Sequence, residues 1–209
     1  MKRLFPLRFY SLLCLLFYSL ILGGVFMTTL RNIKKSALEL KSIYALTLCS
    51  VLLALRVVLG FVSVGGDTYR ITFSHLPVFI CSYIFGPIPG AIVGGLGDIV
   101  TLIVKPTGPF NIGITLSEML AGFISGLFLY KHKAHIVRTI LSCLTVAVIC
   151  SLGITTVSIL IMYNISNPWI MFLGRVATNA ATVPVNIILL FACQQLIQRI
   201  RLPHLNVVR

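Results

Sequence analysis

The sequence predicts an all-α integral membrane protein, built as a bundle of six transmembrane helices with the N- and C-termini in the cytoplasm. The first reason is composition: the 209 residues are 58% hydrophobic and 10% charged, whereas an average soluble domain has about 25% charged residues. The second is a mean hydropathy of +1.03. The third is a series of apolar runs close to the length of about 20 residues that a membrane crossing requires.

The apolar runs are separated by short turns rich in Gly, Pro and Asn. They lie at about 43–62, 73–86, 88–105, 112–130, 138–162 and 169–198. Because these runs use most of residues 27–209, we expect a single membrane domain with no separate soluble domain.

Residues 1–26 carry an additional apolar run after a basic start, without a small-residue cleavage site. If this run crossed the membrane, the basic residues at 2–8 would lie opposite those at 31–41, against the positive-inside rule. Two interpretations follow: an over-extended start, with Met27 as the true first residue, or an accessory hydrophobic segment.

The distribution of basic residues predicts the orientation of the six helices. With the N-terminus inside, the outer loops hold two basic residues, Arg70 and Lys105. The cytoplasmic side then holds ten: Arg31, Lys34, Lys35, Lys41, Lys131, Lys133, Arg138, Arg199, Arg201 and Arg209.

The net charge of +13 would suggest nucleic acid as the partner of a soluble protein. Here the basic residues cluster at the ends of apolar runs, so anionic lipid headgroups are the expected counter-charge and no nucleic-acid partner is predicted. The six cysteines lie in or beside apolar runs at no metal-ligand spacing. We therefore expect no disulfide, no metal and no cofactor.

Gly and Pro residues divide the second apolar run from the third within YIFGPIPGAIVGGLGDI, residues 83–99. We expect a turn at 86–90, with Pro87 and Pro89 ending the helical pattern on either side. The glycines that follow, with Gly122 and Gly126 of the fourth run, predict close packing of helix backbones.

Four polar residues of the last apolar run share one helix face, because Arg175, Asn179, Thr182 and Asn186 are spaced at i, i+4, i+7 and i+11. Such a face cannot point at lipid. It would either join helices through hydrogen bonds or line a ligand pocket. We favour the pocket, because a cation with two carboxamides exceeds what helix association requires.

Further ionisable residues lie inside the predicted bundle. Arg56 is about four turns into the first run, and we expect it to face the same pocket. Asp98 and Glu118 are then candidates either for a structural ion pair with Arg56 or Arg175, or for the site itself. With His75 they could provide acid–base chemistry, but the chain contains no GxSxG and no HExxH motif. We therefore do not expect an enzyme.

Small residues on the first run offer a surface for a close helix crossing. They are Ala45, Cys49, Ser50 and Ala54. Their partner would be either another polypeptide or a neighbouring helix of the same bundle.

Several segments together resemble the substrate-binding S component of an energy-coupling-factor vitamin transporter, most closely the folate-specific type. The resemblance covers about residues 36–200. It rests on LALRVVLG (53–60), RITFSHLPV (70–78), the glycine-rich run at 83–99, KPTGPFNIGITLSEMLAGFISGLFLY (105–130) and RVATNAATVPVN (175–186). Residues 1–26 have no counterpart in the family, and Cys49 stands where an alanine would be usual.

The resemblance implies a high-affinity binding subunit of an ATP-driven importer in a prokaryotic plasma membrane, taking up folate. Its implied partners are a transmembrane coupling subunit, docked on the small residues of the first helix, and two cytoplasmic ATPase subunits. Two alternatives are open: an S component for riboflavin, thiamine or a precursor, and an intramembrane enzyme.

If the ligand is a folate, its flat pterin, aromatic spacer and dicarboxylate tail each need a partner. Arg56 and Asn179 would bond the pterin edge, and Phe73 or Phe110 would pack on the rings.

The two outer basic residues, Arg70 and Lys105, would attract the carboxylates. The remaining predicted substrate-binding residues are His75, Glu118, Arg175, Thr182 and Asn186.

Overall fold

The computed structural model describes residue 36 and residues 42–61, 63–65, 70–106, 109–132, 135–163 and 168–200. The two interpretations of residues 1–26 concern a segment outside these described residues.

The described chain is helical apart from one short hairpin. Its elements are α1 (Ile43–Phe61), β1 (Ser63–Gly65), β2 (Arg70–Thr72), α2 (His75–Phe85), α3 (Pro87–Val104), α4 (Ile112–Leu129), α5 (Ile136–Val146), a π-helical segment (Ala147–Thr155), α6 (Thr156–Tyr163) and α7 (Pro168–Ile200). The segments α5, π and α6 form one continuous helical stretch.

Five helical stretches within the described residues are long and apolar enough to cross a membrane: Ile43–Phe61, Pro87–Val104, Ile112–Leu129, Ile136–Met162 and Met171–Arg199. The helix α2, with 11 residues, is shorter. Large apolar side chains such as Ile103, Ile161 and Leu173 are more than two-thirds exposed on these helices. Five apolar helices that expose large apolar side chains at their surface are typical of a multi-pass membrane protein, in which these side chains contact lipid.

A short hairpin that the sequence did not predict is added to the all-α bundle. The strands β1 and β2 pair antiparallel between α1 and α2, with Val64 opposite Ile71, and β2 also lies against α7. Each strand has only three residues, too few for the alternating pattern by which a strand is detected in sequence.

The predicted turn at 86–90 is wrong, because the helical conformation is interrupted only at Gly86 and the next helix starts at Pro87. Its φ of 97° favours glycine, and its N–H still donates to the carbonyl of Ser82, at 3.0 Å. Pro87 and Pro89 then lie in the first turn of α3, where a missing N–H removes no intrahelical bond.

The predicted close packing of glycines occurs where α3 crosses α4. A Cβ atom on Gly122 would lie 2.5 Å from the carbonyl carbon of Gly90, and one on Gly94 would lie 3.1 Å from the carbonyl carbon of Glu118. Ser82 supports the crossing from α2, because its hydroxyl donates to the carbonyl of Gly122 at 2.8 Å. The backbones therefore approach as closely as small-residue contacts in membranes allow.

The short helix α2 forms the centre of the bundle, packed against α1, α3, α4 and α7. Val78, Phe79, Cys81, Tyr83 and Phe85 are each at most 3% exposed. A helix enclosed in this way does not need the full length of a lipid-facing crossing, since protein covers its ends. Its N-terminal end, at His75, borders the cavity described next.

Candidate functional site

A cavity of about 390 Å³ lies between α2, α4, the α5–π stretch and α7. Apolar side chains, including Phe79 and Val146, form part of its wall. Its polar lining comes from His75, Ser117, Glu118, Ser151, Thr155, Arg175, Thr178, Asn179, Thr182 and Asn186. An apolar wall with a small set of polar groups is typical of a small-molecule site.

All four residues of the polar face predicted on α7 line this cavity. The Asn179 amide donates to the Ser151 hydroxyl at 3.0 Å and to the Arg175 carbonyl at 2.9 Å, so it also joins α7 to the π segment. Asn186 is 6% exposed, and its Oδ1 atom has no hydrogen-bond partner among the described residues. The face therefore both joins helices and presents free polar atoms to the cavity.

The π segment forms the part of the wall between α4 and α7. The wider turn of a π-helix leaves carbonyl groups available to side chains. Ser117 donates to the Cys150 carbonyl at 3.0 Å and lies 2.9 Å from the Thr155 hydroxyl. The Arg175 guanidinium lies 3.5 Å from the Ser151 carbonyl. These contacts hold α4 and α7 on either side of the segment.

The sequence places Ser117 beside Glu118 on the fourth apolar run, but it does not indicate the cavity-lining residues Ser151, Thr155 and Thr178. The spacing of Ser151 and Thr155, four residues apart in an apolar run, was a usable signal. Hydroxyl groups in membrane helices, however, most often bond their own backbone, as Thr178 does to the Gly174 carbonyl at 2.8 Å.

A buried cluster of ionisable side chains lies at the α2–α4 side of the cavity. The Nη2 atom of Arg56 is 2.9 Å from Oε2 of Glu118, and Nδ1 of His75 is 3.3 Å from the same oxygen. His75 and Glu118 line the cavity. Arg56 is not among its lining residues but reaches it through Glu118, and the Nε and Nη1 atoms of Arg56 have no partner among the described residues.

Asp98 takes a different partner from Glu118. The Thr115 hydroxyl donates to its Oδ2 atom at 2.7 Å, and among the described residues no cationic nitrogen lies within 4.0 Å of it. Of the pairings that the sequence left open, the structure contains Arg56 with Glu118. Asp98 lies outside the cavity lining.

The aromatic residues predicted to pack on a ligand do not line this cavity. Phe73 packs against the core, and Phe110 is 54% exposed in the chain before α4. Phe79 lines the cavity instead, with its ring centre 6.3 Å from that of His75.

Arg70 and Lys105, the two basic residues predicted for the outer loops, are also outside the cavity lining. The Nζ atom of Lys105 is 5.5 Å from the centre of the Phe61 ring. Arg70 pairs with Gly65 through the backbone of the hairpin, and its side chain lies outside the described part of the structure.

The predicted docking residues on α1 fall on two faces. Ala45 and Cys49 are buried, and the sulfur of Cys49 lies 3.6 Å from that of Cys81 on α2. Ser50 and Ala54 are exposed. Only Ser50 and Ala54 are therefore accessible to another polypeptide, because the other two pack inside the bundle.

A polar cavity between membrane helices is what a membrane protein that binds or transports a small molecule requires. The family model described as "ECF transporter, substrate-specific component" matches residues 44–193. This chain belongs to that family.

Two relatives and one solved structure are similar to this chain. The folate transporter FolT of Clostridium novyi is 26% identical over 142 residues, covering 68% of this chain and 82% of the relative. The folate transporter FolT of Leuconostoc mesenteroides is 24% identical over 145 residues, covering 67% and 78%. The crystal structure of FolT bound with folic acid superposes with a TM-score of 0.68 at 27% identity, covering 74% of this chain and 94% of that one.

Proposed function

We propose that this chain is the high-affinity substrate-binding component of an ATP-driven energy-coupling-factor importer and that it takes up folate. The family membership and the similarity to folate transporters support the class of protein and of ligand. The observation that carries the proposal in this chain is the cavity in which Glu118 and His75, with Arg56 behind Glu118, lie beside the polar face of α7 and its unpartnered Asn186 Oδ1 atom.

The free polar atoms match the edge of a pterin, which presents N–H donors beside carbonyl and ring-nitrogen acceptors. The contacts of Glu118 with Arg56 and His75 both use Oε2, which leaves Oε1 to accept from a ligand. Asn186 retains an unpartnered acceptor, and Arg56, behind the cavity wall, holds Glu118 in place through Oε2. A ligand lacking the matching edge would leave these buried groups unpaired, which is how such sites reject analogues.

Size and shape agree with a flat ligand of this kind. Small-molecule pockets commonly measure about 300–1,000 Å³, and the cavity has about 390 Å³. Phe79 and Val146 provide apolar surface for rings, while His75, partly exposed at the edge, borders the entrance.

In this proposal the bundle crosses the prokaryotic plasma membrane six times, with α2 as the short crossing and both termini in the cytoplasm. The partners are a transmembrane coupling subunit, reached through the exposed Ser50 and Ala54 face of α1, and two cytoplasmic ATPase subunits. The chain itself is then not an enzyme and uses no cofactor, since ATP hydrolysis is performed by the partners.

Ligand binding to the purified full chain tests the proposal. Detergent-purified protein is titrated calorimetrically with folic acid, riboflavin and thiamine, without nucleotide or metal. Stoichiometric, saturable binding of folic acid alone is expected. Binding of riboflavin or thiamine in its place would assign a different vitamin, and no binding of any of the three would contradict a vitamin-binding component.

A further inference from the structure

Arg175 is a cation in the cavity lining without a carboxylate partner. Its one described side-chain hydrogen bond, from Nη1 to the Ser151 carbonyl, is 3.5 Å long. Among the described residues no carboxylate oxygen lies within 4.0 Å of its guanidinium, whereas Arg56 pairs with Glu118. A cation within a membrane bundle needs a counter-charge, and the cavity that Arg175 lines is open to a ligand that supplies one.

The position of Arg175 indicates which part of a ligand it meets. It lies seven residues after the start of α7 at Pro168, about 10 Å along the axis, and Asn186 lies about 16 Å deeper. Side chains on a helix lean toward its N-terminus, which is the outer end in the proposed orientation. Arg175 therefore serves the mouth of the cavity, and Asn186 its depth.

The two ends offer opposite chemistry. At the deep end the Asn186 Oδ1 atom is a buried acceptor without a partner among the described residues, which suits an N–H donor. At the mouth the guanidinium presents planar donors that match a carboxylate. A carboxylate is also less costly to place near the mouth than deeper, because it keeps part of its hydration there. The cavity is thus polarised for an elongated ligand with a donor head and an anionic tail.

We propose that Arg175 binds a carboxylate of the folate tail and thereby fixes the ligand with its pterin toward Asn186. This inference rests on the proposed function. The sequence suggested Arg70 and Lys105 as the residues that attract the carboxylates, and this inference assigns that role to Arg175. Lys105 lies over the Phe61 ring, outside the cavity lining.

The test compares folic acid with its dimethyl ester, which keeps the rings and the length but has no carboxylate charge. Both are titrated calorimetrically into the detergent-purified full chain. The parent protein should bind the acid roughly 10- to 100-fold more tightly than the ester, as expected for loss of a charged hydrogen bond.

The Arg175→Gln variant should bind both compounds with similar affinity, close to that of the parent for the ester. Arg175→Lys should keep part of the preference, since it retains the charge without the planar donors. Lys105→Gln is the matched control and should keep the preference to within about fivefold, as for a screened surface charge. Thermal unfolding in detergent establishes that each variant is folded, and Arg175→Lys provides the comparison if the Gln variant is not.

The outcomes separate the two proposals. A full preference for the acid in Arg175→Gln, or an equal loss of affinity for acid and ester, would overturn the role of Arg175 in binding the tail. Failure of the parent to bind either compound would contradict the folate assignment itself, and this inference with it.

Discussion

The Nη2 atom of Arg56 lies 2.9 Å from Oε2 of Glu118, and this contact joins α1 to α4 inside the bundle. Arg56 is 4% exposed and Glu118 16%. Gly97 on α3 makes room for the arginine, since a Cβ atom there would lie 2.7 Å from Nε. Three helices are thus adapted to one buried ion pair, in which either charge alone would be costly.

Removing the charge of Glu118 should destabilise the fold. In Glu118→Gln the buried guanidinium loses its counter-charge, and breaking one side of such a pair costs about 3–5 kcal/mol. Denaturant unfolding in detergent measures the change. The double variant Arg56→Met with Glu118→Met is the control and should recover much of the loss, because an apolar pair needs no compensation. A Glu118→Gln variant as stable as the parent would show that the pair does not support the fold.

Ligand affinity should depend more on buried than on exposed polar residues. Arg56→Ala and Asn179→Ala should each weaken folic acid binding by about 1–3 kcal/mol at any salt concentration. Asn179 lines the cavity, where a buried ligand group would lose its partner, and Arg56 acts through Glu118, which it holds at the cavity wall. Lys105→Ala should cost about 0–1 kcal/mol, and this small loss should fade near 1 M salt, where the screening length is about 3 Å.

Calorimetric titration of these three variants at low and high salt checks this prediction. Asn179→Ala is the cleaner of the two inner variants, since Arg56 also supports the fold through Glu118. Parent-like affinity in both inner variants, with the fold intact, would mean that the polar face of α7 only holds helices together.

The α3–α4 crossing should not tolerate a single added methyl group. In Gly122→Ala the new Cβ atom would lie 2.5 Å from the Gly90 carbonyl carbon and 2.9 Å from the Ala91 nitrogen, and backbone atoms cannot move aside as a flexible side chain does. We expect a loss of about 1–3 kcal/mol or more, measured by thermal unfolding. The matched control is Gly174→Ala, which has nothing within 4 Å and should be at least as stable as the parent. Equal stability of the two variants would contradict the close crossing.

The proposed orientation can be tested by labelling. In a cysteine-free background, Pro106→Cys and His135→Cys place single thiols at exposed positions. An impermeant thiol reagent added to intact cells should label position 106, and it should label position 135 only after permeabilisation. Labelling in the opposite sense would reverse the orientation that the basic residues predict.

Sequence patterns located the helices because each apolar run reflects a segment surrounded by lipid or protein, and Gly and Pro mark where helices end. The predicted ends differ from those of the structure by at most two residues in each apolar run, taking α5 to α6 as one stretch. The polar face of α7 was predictable for the same reason, since Arg175, Asn179, Thr182 and Asn186 repeat at helical spacing and one helix suffices to align them.

Features that depend on two or more helices were not predictable in this way. Arg56 pairs with Glu118 and not with Asp98. This choice depends on how α4 is rotated relative to α3, which the sequence of either helix alone does not determine. Two of the predicted docking residues on α1 are buried and two are exposed. Which ones are buried depends on the position of α2, because Cys49 packs on Cys81. The cavity wall contains Phe79 and not the predicted Phe73 or Phe110. This difference likewise follows from the packing of α2 against its neighbouring helices.

The π segment at Ala147–Thr155 has a consequence for how this chain can vary in length. A π turn holds one more residue than the α turn that it replaces, so shortening the segment by one residue can restore α-helical bonding without breaking the chain. Because the extra residue is taken up within the wider turn, the side chains beyond the deletion would keep the face that they present to α7. The change would be confined to the segment itself, where Ser117 and Arg175 contact the carbonyls of Cys150 and Ser151. Homologous chains that differ by a single-residue gap at this point should therefore keep the direction of the helix that follows and differ in these local contacts at the cavity wall.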